Sequence, residues 1–234
     1  MNIYLNWSGG KDAALALYKA KQQQLYVNAL LTSMSSEHNR ISMHGVRRTL
    51  LQAQAQSIAL PLHTVELPEN PGMHNYETAM AQKVTELKAE GFTHAMFGDI
   101  FLEDLKAYRE SKLQQLDITC IFPLWKTETK ELMREFIATG FKAIAVCVNE
   151  AFLDKSFCGR VIDQSFINDL PTGVDVCGEN GEYHSFVFDG PIFNKPVCFR
   201  KGEIVSKQYP APVRNAVVPK PYTFYFCDLL PDNG

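Results

Sequence analysis

The stretch SGGKD at residues 8–12 decides the fold, because of what stands on either side of it. It follows a short apolar run at residues 2–6 and directly precedes AALALYKAK, a helix-forming sequence at residues 13–21. A strand, a glycine loop and a helix in this order are typical of a phosphate site, since glycines let the backbone approach an anion and a helix N-terminus carries partial positive charge. The residues predicted to contact phosphate are Ser8, Gly9, Gly10, Lys11 and Asp12.

The loop is neither a Walker loop nor the GxGxxG dinucleotide fingerprint. Its alternative interpretation is a tight strand-to-helix turn with Asp12 as the helix cap. Lys11 beside the glycines favours the phosphate site, because it adds a full positive charge where an anion would lie.

The first two thirds of the chain alternate short apolar runs with longer amphipathic ones, which predicts a mainly parallel α/β sheet covered by helices. Strands are predicted near residues 2–6, 27–32, 62–67, 94–98, 118–122 and 143–148. Helices are predicted near residues 13–24, 46–58, 76–90, 103–115 and 128–139.

The composition changes after about residue 141, where the chain becomes richer in Gly, Pro and aromatic residues. Strands are predicted there near residues 182–189, 196–200 and 222–229. We therefore expect a nucleotide domain at residues 1–150 and a smaller α+β C-terminal lobe at residues 151–234.

Charge and composition exclude several classes of partner. Lys+Arg is 23 and Asp+Glu is 26, a formal net charge of −3, which gives no basis for general nucleic-acid or anionic-membrane binding. The apolar runs are far shorter than the ~20 residues of a membrane span. The N-terminus lacks the basic and apolar regions of a secretory signal, so a cytoplasmic location is expected. The six cysteines form no CxxC pair, which argues against zinc ribbons and thioredoxin-like chemistry.

SGGKD resembles the pyrophosphate loop of the N-type ATP pyrophosphatases, usually SGGxDS, with Ala13 in place of the last serine. That resemblance implies a Rossmann-like parallel sheet with helices on both faces. It also implies cleavage of ATP between the α and β phosphates, with transfer of AMP to an oxygen of the substrate.

Further segments narrow the resemblance to one family. They are MHGVRRTLLQAQAQSIALPL at residues 43–62, FGDI at 97–100, FPLW at 122–125 and CGENGEYHSFVFDGPIF at 177–193. In this order the chain resembles the diphthine–ammonia ligase family, although Ser185 stands where that family commonly has threonine. The resemblance implies an enzyme that uses ATP and Mg²⁺ to adenylate a carboxylate. Ammonia then replaces the AMP and gives an amide. The family's better-known substrate is a modified histidine on an elongation factor, and other acids stay open.

Several residues of the first domain are predicted to meet ATP or the substrate. Gly98 and Asp99 end the fourth predicted strand, where ligands collect in open α/β sheets. Asp99 is a candidate for Mg²⁺ or a ribose hydroxyl, with a helix cap as the alternative. His44, Arg47 and Arg48 begin the second predicted helix and are candidates for a phosphate or the adenine. Arg109 is a candidate to bind the substrate by reaching a phosphate. For Arg109, as for His44, Arg47 and Arg48, the alternative is an exposed charge on a solvated helix.

The segment ENGEYH at residues 179–184 supplies the predicted catalytic groups. Glu179, Glu182 and His184 are expected to act together, with His184 as a base near neutral pH and a glutamate orienting it or receiving ammonium. Strand alternation would send Glu182 and His184 to one face and Tyr183, a candidate substrate contact, to the other. A hairpin turn with a solvated acidic edge is the alternative. Asp154, Arg160 and Asp163 are predicted to line the cleft between the lobes.

The sequence leaves two other functions open. A sulfur-transfer enzyme acting on tRNA shares this type of loop, but the absence of a CxxC pair and of a basic patch disfavours it. A non-catalytic nucleotide-binding protein would not need the acidic segment. A homodimer is compatible with the sequence.

Overall fold

The computed structural model describes residues 1–41, 44–68, 71–209 and 221–232, which form two sheets and six α-helices. The strands of the first sheet are β1 (Ile3–Asn6), β2 (Val27–Ser35), β3 (Arg40–Ile41), β4 (Leu62–Leu67), β5 (His94–Met96) and β6 (Thr119–Ile121). Five of them are parallel in the order β4–β2–β1–β5–β6, and β3 pairs antiparallel with the end of β2. This is the predicted doubly wound parallel sheet.

Helices cover both faces of this sheet, as predicted. They are α1 (Lys11–Gln22), α2 (Arg48–Ile58), α3 (Met73–Ala89), α4 (Glu103–Gln114) and α5 (Thr129–Ala138). A sixth helix, α6 (Gln164–Asp169), packs its Phe166 against Phe157 and Tyr183. Alternating side chains of β1 enter different cores: Ile3 and Leu5 pack with α1, α2 and α5, whereas Tyr4 packs with α3 and α4. The helices and strands predicted within the first 140 residues are confirmed, with ends shifted by three residues or fewer.

The second sheet is antiparallel, with strands β7 (Lys142–Asn149), β8 (Tyr183–Asp189), β9 (Phe199–Tyr209) and β10 (Tyr222–Pro231) in the order β8–β7–β10–β9. The prediction that residues 143–148 belong to the parallel sheet is therefore wrong. A strand buried on both faces reads as the same apolar run in either kind of sheet. The strand predicted at residues 196–200 begins only at Phe199, and α6 was not predicted.

One hydrophobic core joins the two sheets, since buried residues of α1 and α2 pack with those of β7 and β8. The division at residue 150 stays a prediction, although β7 already lies in the second sheet. None of the helices in the described part of the chain is long and apolar enough to cross a membrane.

The strand order places a ligand crevice at the carboxyl edge of β1 and β5. The chain leaves β1 through α1 toward β2 on one side, whereas β5 lies on the other side of β1. Connections that diverge in this way open a crevice at the sheet edge. SGGKD follows β1 and FGDI follows β5, so both motifs lie at this crevice.

Candidate active site

The phosphate loop, residues 8–12, turns tightly into α1. Gly9 has φ +76°, and a Cβ at this position would lie 2.8 Å from Gln54 Oε1, so only glycine fits without strain. The backbone N–H of Gly10 donates to Ser8 Oγ over 3.2 Å. Because α1 begins at Lys11, the N–H groups of its first turn have no acceptor within the helix. The loop can therefore offer donors and the positive end of a helix to an anion.

Lys11 brings a buried positive charge to this loop. Its side chain is 4% exposed, and Nζ donates to Asp12 Oδ1 over 2.8 Å and to Oδ2 over 2.7 Å. Nζ also lies 5.4 Å from the centre of the Tyr183 ring. Burial is the largest single effect and opposes the charge, but Asp12 together with Tyr183, Cys177 and Glu179 outweighs it and raises the pKa of Lys11. The ammonium is thus held in place before any ligand arrives.

Strand β8 holds the other side of the phosphate loop. The N–H of Val187 donates to Gly9 O over 2.9 Å, and the N–H of Lys11 donates to Ser185 Oγ over 3.0 Å. The Ser185 hydroxyl thus contacts the loop backbone directly. The second sheet therefore contacts the phosphate loop directly.

Gln54 of α2 joins the phosphate loop to β8 and to Trp7. It is not among the residues predicted from the sequence. Its Nε2 donates to Gly9 O over 3.0 Å and to Val187 O over 2.6 Å, while its Oε1 accepts from Trp7 Nε1 over 3.0 Å. The residue is fully buried. A signal was present, because Gln54 occupies the same helical stripe as the apolar Leu50 and Leu51.

The end of β5 approaches the same loop. A Cβ at Gly98 would lie 2.7 Å from the carbonyl carbon of Asp12, so glycine permits close contact with the start of α1. Asp99 Oδ2 lies 2.7 Å from Arg109 Nε, yet neither atom has a hydrogen bond of good geometry. Burial outweighs Arg109 and raises the pKa of Asp99. The Arg109 guanidinium also stacks 4.3 Å from the centre of the Phe97 ring.

The acidic loop, residues 175–182, faces the phosphate loop, but most of its carboxylates turn inward. Glu182 is 1% exposed and accepts from the backbone N–H groups of Asp175, over 3.0 Å, and Asn180, over 2.9 Å. Asp175 accepts from the N–H of Cys177 over 2.9 Å. Glu182 does not line the cavity beside the phosphate loop. Glu182 shapes the loop, because its oxygens accept hydrogen bonds from the loop backbone. Its predicted catalytic role stays a prediction.

Glu179 is the carboxylate of this loop that reaches the cavity. Burial raises its pKa to about 8, and the negative charges of Asp12 and Asp99 add to the effect while Lys11 opposes it. A carboxyl group that titrates near neutral pH is suited to accepting and returning a proton.

His44 and His184 stack with ring centres 4.7 Å apart. His44 Nδ1 donates to Ser185 O over 3.1 Å, which leaves its Nε2 as an acceptor. Burial lowers the pKa of His44 to about 4 and that of His184 to about 3, with the nearby Lys11 adding to both. Burial therefore favours the neutral form of both rings, and the role of His184 as a base stays a prediction.

These groups meet in one cavity of about 530 Å³, here called the loop cavity, a size usual for small ligands. Predicted residues that line it are Ser8, Lys11, Asp12, His44, Gly98, Asp99, Arg109, Glu179, Tyr183 and His184. Residues that were not predicted include Asn6, Thr32, Ser33, Ile41, Tyr76, Met80, Phe97 and Ser185. The neighbours Tyr183, His184 and Ser185 all line it, contrary to simple alternation, where the β7–β8 pairing shifts register.

The arginines at the start of α2 are engaged elsewhere. Arg47, predicted to meet the cofactor, pairs with Asp228 of β10 through Nε at 3.0 Å and Nη2 at 2.7 Å. Arg40 donates to the same carboxylate over 2.8 Å. Arg48 pairs with Glu66 at 2.7 Å. Arg47 does not line the loop cavity, because its guanidinium joins α2 to the second sheet.

The three residues predicted for the cleft between lobes also lie outside the loop cavity. Asp154 and Asp163 accept backbone N–H groups at the starts of a 3₁₀ turn and of α6, over 2.8 Å and 3.0 Å. Arg160 pairs with Asp169 at 2.7 Å. All three contact neighbouring parts of the chain. Capping a helix start, as the two aspartates do, is a common role of this residue type.

Comparison with known proteins gives matches to two family models. The model described as Diphthamide synthase N-terminal domain matches residues 1–118, and the one described as Diphthamide synthase C-terminal domain matches residues 128–209. Among solved structures, the U34-tRNA thiolase NcsA from Methanococcus maripaludis is 16% identical, with a TM-score of 0.37 over 58% of this chain and 55% of its own. That likeness is too distant to support a conclusion.

Curated relatives agree with the family models. The diphthine–ammonia ligase of Bos taurus is 32% identical over 85% of this chain and 83% of its own length. The enzyme of the same name from Mus musculus is 33% identical over 85% and 82%, and that of Homo sapiens is 26% identical over the same shares. With this coverage, and with the N-terminal model matching 118 of 234 residues, the chain belongs to the diphthamide synthase family, a family of ligase enzymes.

Proposed function

We propose that this protein is an amide ligase that uses ATP to adenylate a carboxylate and then transfers the acyl group to ammonia. Membership of the family implies ATP use. The observation that carries the proposal is the meeting of the phosphate loop and Glu179 in one cavity. The phosphate loop on one side of that cavity can bind an anion, and Glu179 on the other side can accept a proton.

The loop cavity has groups suited to both the phosphates and the adenine of ATP. The phosphate loop supplies backbone donors and Lys11 supplies charge for the phosphates, the pattern expected at a helix N-terminus. The end of β2, with Ile41, Tyr76 and Met80 around it, offers an apolar wall for the adenine. Thr32 and Ser33 lie on the same wall and have polar groups for the edge of the base.

The residues present also fit Mg²⁺. This ion is usually bound by one or two carboxylates together with phosphate oxygens and water, so a complete protein cage is not needed. Asp99 and Asp12 line the cavity, and Asp99 Oδ2 is buried without a hydrogen bond. We propose Asp99 as a ligand, with Asp12 beside it. Bound Mg²⁺ would neutralise phosphate charge.

The chemistry follows in two steps. An oxygen of the substrate carboxylate attacks the α-phosphorus, the bond to the bridging oxygen of the β-phosphate breaks, and pyrophosphate leaves. Ammonium then gives a proton to the Glu179 carboxylate, and the resulting ammonia attacks the acyl carbon. The nitrogen of the adduct releases a second proton to water as the bond from the acyl carbon to the phosphate oxygen breaks and AMP leaves. The phosphate loop and Lys11 stabilise charge on the α-phosphate, and Glu179 accepts the proton from ammonium.

The experiment uses ATP labelled at the α-phosphate, a panel of carboxylic acids, and either ammonium or hydroxylamine. We expect labelled AMP with an amide from ammonium and a hydroxamate from hydroxylamine, which traps the acyl-adenylate. Lys11→Met serves as the inactive control. ADP as the labelled product, or ATP binding with no turnover for any acid, would refute the proposal, and the second result would support a nucleotide-binding protein.

A further inference from the structure

A second cavity of about 310 Å³ lies between α3 and α4 on the opposite face of the parallel sheet from α1. We call it the helix cavity. It shares Asn6, Tyr76, Met80, Phe97 and Arg109 with the loop cavity, so the two spaces meet at the carboxyl edge of β1 and β5. A molecule lying in the helix cavity can therefore reach the phosphate site.

Tyr4 of β1 forms part of the lining of the helix cavity. The residue is 1% exposed, and its hydroxyl has no hydrogen-bond partner among the described residues. The ring packs edge-on against Phe92 at 6.0 Å, which fixes its position in the core. A buried hydroxyl without a partner is unfavourable, and native proteins retain few such groups unless a ligand uses them.

The walls of the helix cavity are mainly apolar, from Ala81 and Val84 of α3 and Leu113 of α4, which do not line the loop cavity. Polar contacts join the two helices at one side of it. Glu77 of α3 accepts from the Tyr108 hydroxyl over 3.1 Å and pairs with a lysine of α4 at 2.9 Å. Apolar walls with a few placed polar groups are typical of a site for a small organic molecule.

Arg109 stands where the two cavities meet. Its planar guanidinium matches the two oxygens of a carboxylate, which makes arginine the usual side chain for binding that group. It is ion-paired with Asp99: Nε lies 2.7 Å from Oδ2, and Nη2 donates to Oδ1 over 3.2 Å. The side chain is held in place by stacking on Phe97. Arg109 can therefore bind a substrate carboxylate at the entrance to the phosphate site.

We propose that the helix cavity is the subsite for the acid substrate. The acid places its carboxylate at Arg109, its apolar body lies between α3 and α4, and a hydrogen-bonding group farther along the body pairs with the Tyr4 hydroxyl. The inference rests on the proposed function, and it defines the substrate class as a carboxylic acid with an apolar, ring-sized body that has a polar atom away from the carboxylate.

The test compares two acids of equal shape, 3-phenylpropionate and 3-(4-pyridyl)propionate, on protein loaded with the uncleavable analogue α,β-methylene ATP. Binding is measured by NMR titration. We expect the pyridyl acid to bind about fivefold more tightly, as one additional hydrogen bond to Tyr4 would give. Tyr4→Phe should abolish this preference and leave the affinity for the analogue unchanged.

A blocking variant provides a second readout. Ala81→Trp enlarges a side chain that lines the helix cavity but not the loop cavity, and it should weaken both acids at least tenfold without changing analogue binding. Ala89→Trp, on an exposed position of the same helix away from both cavities, is the matched control and should change neither.

Three results would overturn the proposal. They are absence of binding by either acid to analogue-loaded protein, a pyridyl preference that survives Tyr4→Phe, and weaker analogue binding in Tyr4→Phe, which would assign the helix cavity to the nucleotide. Failure of the wild-type protein to bind the analogue would instead contradict the proposed function itself.

Discussion

The phosphate loop and the acidic loop have similar compositions but use their groups in opposite ways. Each combines glycines with carboxylates and each borders the loop cavity. In the phosphate loop Ser8, Lys11 and Asp12 line the cavity, and the Asp12 carboxylate is paired with Lys11. In the acidic loop, Glu182 and Asp175 bind backbone N–H groups internally, and Glu179 is left facing the cavity.

The difference shows that the role of a carboxylate is set by what satisfies its lone pairs. A carboxylate that already accepts several hydrogen bonds within its loop has a structural role, and one that is buried with like charges nearby becomes a proton acceptor. Substitutions in the two loops should separate these roles.

Lys11→Met should have the largest effect. It keeps the volume of the side chain but removes the charge facing the phosphates and leaves the Asp12 carboxylate unpaired. We expect kcat/KM for ATP to fall about 10³-fold, as for the loss of a principal charge-stabilising group. Steady-state AMP release measures this, and an unchanged affinity for ATP would remove Lys11 from the phosphate site.

Glu179→Gln should lower kcat about 10²-fold, the typical contribution of a general base, with little change in ATP affinity. In the wild type, turnover should rise as the pH passes the pKa of Glu179, because the carboxylate form accepts the proton from ammonium. The variant should lose this part of the pH–kcat profile. A profile of unchanged shape would show that another group takes the proton.

Glu182→Gln should act mainly on stability. The amide would present N–H donors to a buried site where the carboxylate accepts backbone N–H groups, so we expect a loss of about 2 kcal/mol in the free energy of unfolding. Urea denaturation measures it, with Glu179→Gln as the matched control in the same loop. Equal effects of both variants on stability would contradict the division of roles.

The pH dependence of stability should also distinguish Glu179 from the two histidines of the loop cavity. Its pKa in the ligand-free fold is about 8, above the usual 4.5, so between these values the unfolded chain binds fewer protons and stability falls as the pH rises. His44 and His184, with pKa values lowered from 6.5, instead cost stability as the pH falls below 6.5. Thermal unfolding of Glu179→Gln should therefore lack the decline between pH 6.5 and 8.

Asp163→Ala should have the smallest effect. Loss of a helix cap costs about 1 kcal/mol of stability, and AMP release should stay within twofold of the wild type. A large loss of turnover would restore the cleft role predicted from the sequence.

The strand–loop–helix arrangement around the phosphate loop could be predicted because its signals are local. SGGKD lies between a strand and a helix, and the sheet rule then places Asp99 beside it. Asp154 and Asp163 misled the prediction because aspartates that cap helices have the same sequence context as aspartates in a cleft. Gln54 could not be assigned a partner, since its three hydrogen bonds join segments that are distant in the chain. The sheet that β7 joins is set by pairing with β8 and β10, which periodicity does not encode.

The contact between the phosphate loop and β8 has a consequence for biosynthesis. Lys11 leaves the ribosome early, whereas Ser185, whose hydroxyl accepts from its N–H, is made 174 residues later. Contacts so far apart in the chain form late, since domains acquire their long-range pairings only after the segments have emerged. The nascent protein therefore completes its nucleotide site only when most of the chain has been synthesised, and a chain truncated before β8 would carry the motif without the geometry that makes it work.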